Sequence, residues 1–93
     1  MARTKVLVVA EVADPKKWEE GFRTHGKLFK SMTVKKPVDF GISGNRAAVC
    51  CKPDNLEKFM EVLDSPATAE AMKSDGVKRE TVQVFILDQE FKV

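Results

Sequence analysis

His25 is the only histidine in a chain of 93 residues, and histidine is the side chain best suited to moving a proton near neutral pH. It stands seven residues after Trp18, three after Phe22 and four before Phe29. At helical spacing these positions share one face. The imidazole is therefore expected to point toward a sheet rather than toward water, between aromatic rings. There it can serve as a general base or acid. The competing expectation is a histidine hydrogen-bonded at the rim of a core. One histidine without a carboxylate and cysteine cluster makes no complete metal site, so no metal is expected.

Trp18, Phe22, Phe29, Phe40, Phe59 and Met60 can line an apolar cavity for a small organic ligand, or they can pack as plain core. Glu11 interrupts the first strand on the face it shares with Leu7 and Val9. It is either exposed at the strand end or desolvated beside the pocket, where it would be a second candidate base. Gly21 and Gly26 flank the histidine, and each costs up to about 1 kcal/mol inside a helix. Either both face outward or the helix is loosened or closely approached there. Cys50 and Cys51 are adjacent and lack zinc or redox spacing, which suits small core residues in a reducing, cytoplasmic compartment. Lys35-Lys36 and Lys78-Arg79 read as solvated surface.

These residues need elements to position them. Arg3 to Ala13 is expected as a first strand, with Val6, Val8 and Ala10 on one side. Asp14-Pro15 opens a helix, Asp as cap and Pro at the first helical position. Trp18, Phe22, His25, Phe29 and Met32 then form one stripe of a continuous helix. Val34 to Ser43 and Arg46 to Lys52 make a hairpin across Ser43-Gly44-Asn45, the former an edge strand because of Pro37. Asp54 is expected to cap the next helix in a box with Glu57, burying Leu56, Phe59, Met60 and Leu63. Ser65-Pro66 starts a shorter helix with Ala67, Ala71 and Met72 inward, ending at Asp75-Gly76. Thr81 to Asp88 is the last strand. Right-handed crossovers fold this β-α-β-β-α(α)-β order into a ferredoxin-like α+β plait: one domain, residues 1–93, with a four-stranded antiparallel sheet in the order 4-1-3-2.

The last strand is apolar on both faces, with Val82, Val84 and Ile86 opposite Phe85 and Leu87. The first strand repeats this. An open antiparallel sheet normally keeps one polar face, and this chain has helices for one face only. A second copy is the expected cover. The net charge of +2 is too small to imply nucleic acid or a membrane surface, and the central strands hold no aromatic for base stacking. No apolar run reaches the roughly 20 residues of a membrane helix. The basic start Met1-Ala-Arg-Thr-Lys5 leads into a first strand rather than a signal peptide.

The run Asp14-Pro15-x-x-Trp18-x-x-x-Phe22-x-x-His25, followed by Ser65-Pro66 and Ala71-Met72-x-x-x-Gly76-Val77, resembles the dimeric α+β barrel proteins. These include antibiotic biosynthesis monooxygenase-like proteins. The resemblance implies a homodimer in which two sheets pack face to face, and a ligand pocket between helices and sheet. It also implies binding of a small hydrophobic or aromatic molecule, with cofactor-independent oxygenation or isomerisation as the chemistry and no cofactor. The alternative is a non-enzymatic stress-associated or interaction protein whose apolar residues only pack. Haem-degrading relatives carry an asparagine on the first strand and a histidine on the second helical segment. This chain has Glu11 and a first-helix histidine instead.

Overall fold

A run that is apolar on both faces, Val6 to Ala10, suits the first strand, β1 (Lys5–Glu11), to the middle of a sheet. The structure, a computed structural model, describes residues 4–93; the expected strand start at Arg3 lies outside them. β1 pairs antiparallel with β3 (Arg46–Cys51) and with β4 (Gln83–Leu87), and β2 (Asp39–Ser43) pairs with β3. The order β2-β3-β1-β4 is the expected 4-1-3-2 read from the other edge. With helices α1 (Pro15–Phe22), α2 (Gly26–Ser31), α3 (Leu56–Leu63) and α4 (Pro66–Ser74), this is a ferredoxin-like α+β fold.

Period-two alternation divides the sheet. Val6, Val8 and Ala10 stand opposite Cys51, Val49 and Ala47 and face the helices. The core joins Val6, Val49 and Cys51 to Val12, Trp18, Met32, Val34 and Phe59. Leu7, Val9, Ala48, Cys50, Phe85 and Leu87 occupy the other face. Phe85 and Leu87 are 46% and 44% exposed there.

Several elements differ from the sequence expectation. The continuous helix is two helices. Thr24 and His25 donate their backbone N–H groups to the carbonyls of Gly21 and Phe22, three residues back, at 3.0 and 3.1 Å. The Thr24 hydroxyl also donates to the Gly21 carbonyl at 2.6 Å. A hydroxyl competing for a helical carbonyl and a poor helix former at Gly26 together end α1, and α2 restarts behind His25.

β2 begins at Asp39 rather than Val34. Thr33 turns the chain with φ 66, Val34 forms only an isolated bridge to Pro53, and Pro37 has no N–H for a ladder. The cap of α3 is Asn55, whose side chain accepts from the Lys58 N–H at 3.1 Å. The Asp54 backbone N–H is taken by the Thr33 carbonyl, so the expected box with Glu57 does not form.

On α4, Thr68 is buried and Ala67 exposed. The Thr68 hydroxyl donates to the Val62 carbonyl at 2.5 Å, which makes a buried polar group tolerable. A 3-10 turn at Arg79–Thr81 shortens the last strand to Gln83–Leu87. β1 ends at Glu11, and Val12 continues only as a bridge to Val77. Among the described residues no helix is long and apolar enough to cross a membrane.

Candidate functional site

The break between α1 and α2 and the end of α4 meet at one point. Gly76 adopts φ +77, and the N–H groups of Gly76 and Val77 close onto the carbonyls of Lys73 and Met72 at 3.2 and 2.9 Å. This double closure is a Schellman motif. It fixes Asp75 at the helix C-cap, where the negative end of the helix dipole disfavours a carboxylate. The carboxylate is compensated from across the fold: Asp75 Oδ2 lies 2.9 Å from His25 Nε2. The Asp75 side chain is only 9% exposed and the His25 ring 24%. A carboxylate this buried requires such a partner.

Gly21 makes the approach possible. A Cβ at position 21 would collide with the carboxylate of Asp75. Of the two readings for the flanking glycines, close approach applies to Gly21. Gly26 faces open space.

His25 and Asp75 lie in the wall of a cavity of about 100 Å³ between helices and sheet. Its floor is Val8, Ala10, Ala47, Val49 and Cys51, and its walls include Trp18, Phe22, Phe29, Phe59 and Met72. Trp18 stacks on Phe22 at 4.9 Å between centroids, and Phe22 meets Phe29 edge-on at 5.4 Å. Thr68 brings a hydroxyl to the wall, but its proton is spent on Val62. The Cys51 thiol is pushed up to about 12, first by burial and then by neighbouring Cys50, so it stays protonated and is no nucleophile at neutral pH. The pair His25–Asp75 is thus the polar feature free to act on a ligand in an otherwise apolar chamber.

The sequence candidates fall into two groups. His25, Trp18, Phe22, Phe29 and Phe59 line the cavity. Phe40, Met60 and Glu11 lie outside its wall. Phe40 braces Phe22 and Trp18 from β2, at 5.0 and 5.7 Å, and Arg23 covers its ring at 5.2 Å. Met60 packs against the core. Glu11 shares parity with Leu7 and Val9 in the ladder, so it projects from the sheet face away from the helices. Asp75 was not among the sequence candidates, being read only as part of a helix stop. The signal that could have found it is the misfit of an aspartate at a helix C-terminus in a chain with one histidine. Among the described residues no group of histidine, cysteine, aspartate and glutamate is arranged to hold a metal ion.

The site is therefore an apolar chamber with one histidine–carboxylate pair, set between the helices and sheet of a ferredoxin-like fold. No family model matches the sequence, and no curated protein matches it. Solved structures do match, and antibiotic biosynthesis monooxygenase-like proteins of this fold are among them. One is a candidate antibiotic biosynthesis monooxygenase from Bordetella bronchiseptica, with TM-score 0.74 and 15% identity over 98% of this chain and 100% of that one. Another is SnoaB, a cofactor-independent oxygenase from Streptomyces nogalater, with TM-score 0.69 and 13% identity over 99% of this chain and 98% of that one. A dimeric ferredoxin-like protein from an uncultured marine organism matches with TM-score 0.59 and 11% identity, covering 100% of this chain and 94% of that one. At these identities the likeness is one of fold.

Proposed function

We propose that the chain binds a small hydrophobic or aromatic molecule in the helix–sheet cavity and that His25 removes a proton from it, in a cytoplasmic homodimer built as an α+β barrel from one domain per chain. The observation that carries this reading is the pair His25–Asp75, 2.9 Å apart in the wall of an apolar chamber. Apolar walls exclude water and hold a ring, and a single polar pair orients it. With an electron-rich substrate, deprotonation prepares the ring for dioxygen without a bound cofactor. One oxygen atom then enters the ring as a quinone carbonyl, the ring C–H and the phenolic O–H bonds break, and the other oxygen leaves with those two hydrogens as water, the electrons coming from the substrate. The dimer is supported by the uncovered apolar sheet face and by the dimeric protein of the same fold.

One observation favours the second reading, a non-enzymatic stress-associated or interaction protein. The cavity of about 100 Å³ is smaller than the roughly 300–1,000 Å³ of common ligand pockets. It is closer to the engineered cavity of about 150 Å³ that accommodates benzene.

Trp18 is the only tryptophan and lies in the wall, so its fluorescence tests both readings. Single-ring phenols are expected to quench it saturably. Oxygen uptake with an electron-rich phenol should be lost in His25→Ala while the variant remains folded. Absence of saturable quenching by any such ring favours the non-enzymatic reading, and undiminished uptake by His25→Ala removes the role given to the histidine.

A further inference from the structure

We propose that Asp75 is a positioning residue which holds His25 as its Nε2–H tautomer, with Gly21 providing the gap through which its carboxylate reaches the ring. This rests on the reading of His25 as the proton acceptor of the site and specifies which ring nitrogen does the work. A carboxylate can only accept at this contact, so Nε2 donates across the 2.9 Å. The other nitrogen, Nδ1, makes no hydrogen bond among the described residues and carries the ring's lone pair. The neighbouring cation is engaged elsewhere, since Arg23 pairs with Glu19 at 2.9 Å and covers Phe40. Among the described residues no lysine or arginine lines the cavity.

Two consequences follow for the ligand. The neutral ring offers an acceptor and no free donor, so the site suits a small neutral molecule carrying an O–H group rather than an anion. When such a group gives up its proton, its O–H bond breaks and an Nδ1–H bond forms. The electron pair stays on the ligand oxygen, and the new imidazolium charge is offset by the Asp75 carboxylate.

Three independent features of the fold converge on this contact. The Schellman closure fixes Asp75, the α1–α2 break fixes His25, and a Cβ at position 21 would collide with the Asp75 carboxylate. None of them is needed for a histidine that merely fills the rim of a core.

Because His25 is the only histidine, an imidazole ¹⁵N NMR spectrum of the full chain at a pH where the ring is neutral reports its tautomer directly, with no ligand present. The wild-type protein is expected to show the Nε2–H form in about ten-fold or greater excess, as one charge-assisted hydrogen bond provides. Asp75→Ala and Gly21→Ala should both return the ratio to that of a free imidazole, although the second retains both partners. An Nδ1–H form in the wild type, or one ratio in all three proteins, overturns the proposal. A predominant Nδ1–H form in the wild type overturns it even if a variant does not fold. A correct tautomer in a protein that binds no phenol would retain the positioning role of Asp75 and sink only the ligand-binding function.

Discussion

Gly21 and Cys51 are small residues whose importance comes from what lies against them. An exposed helical glycine replaced by alanine gains up to about 1 kcal/mol. At position 21 the added methyl meets the Asp75 carboxylate, so Gly21→Ala should lose about 1–3 kcal/mol by overpacking, measured by urea unfolding. Gly26→Ala, with open space around it, should not show that loss. Cys51 makes a prediction about pH. Its unfolded thiol ionises near 9.0 and its folded thiol near 12. The folded state therefore binds more protons across that window. Stability from this group is complete below pH 9 and falls toward pH 12, by up to about 1.4 kcal/mol per pH unit. Cys51→Ala should flatten that part of the decline in denaturation curves between pH 8.5 and 11. His25 was legible as an inward residue because its spacing from Trp18 and Phe22 is local information. Asp75 was not, because its partner lies fifty residues away and no periodicity links them.

The helix ends determine where the site residues stand. Asn55 rather than Asp54 caps α3, its side chain accepting from the Lys58 N–H. Asn55→Ala should cost about 1 kcal/mol, whereas Asp54→Ala, which loses only an exposed pair to Lys35 at 3.6 Å, should stay within about 0.5 kcal/mol. Thermal unfolding of the two variants distinguishes the caps. Asp14-Pro15 and Ser65-Pro66 start helices as their chemistry predicts, since capping depends on neighbours in sequence. The division of α1 from α2 was missed for a comparable reason. The apolar stripe continues through residues 22 to 29, and periodicity does not register a hydroxyl that takes a carbonyl from its own helix.

At the scale of the whole molecule, the sheet leaves Leu7, Val9, Cys50, Phe85 and Leu87 without helices over them. A contiguous apolar face of this kind marks an interaction surface, and a second copy presents the same face in return. Phe85→Lys should convert the proposed dimer to monomer in analytical ultracentrifugation and abolish any dependence of the melting temperature on concentration. Ile42→Lys is the control. Ile42 is also exposed, at 39%, but it stands opposite Ala47 on the helix-side face, and its change should leave the assembly intact. Equal effects of both substitutions would argue against this face as the interface.

What the sequence determined by itself is the local and the periodic. Strand alternation, helix starts and the βαββαβ order were enough to specify the sheet order and the two apolar faces, because each depends on residues within a few positions of one another or on general chain handedness. The tertiary structure alone decided the contact between His25 and Asp75, the gap at Gly21 and the exclusion of Glu11, Phe40 and Met60 from the cavity wall. These depend on how a helix break, a helix end and a strand register meet in space, and small rotations of packed elements there decide which side chains reach the cavity.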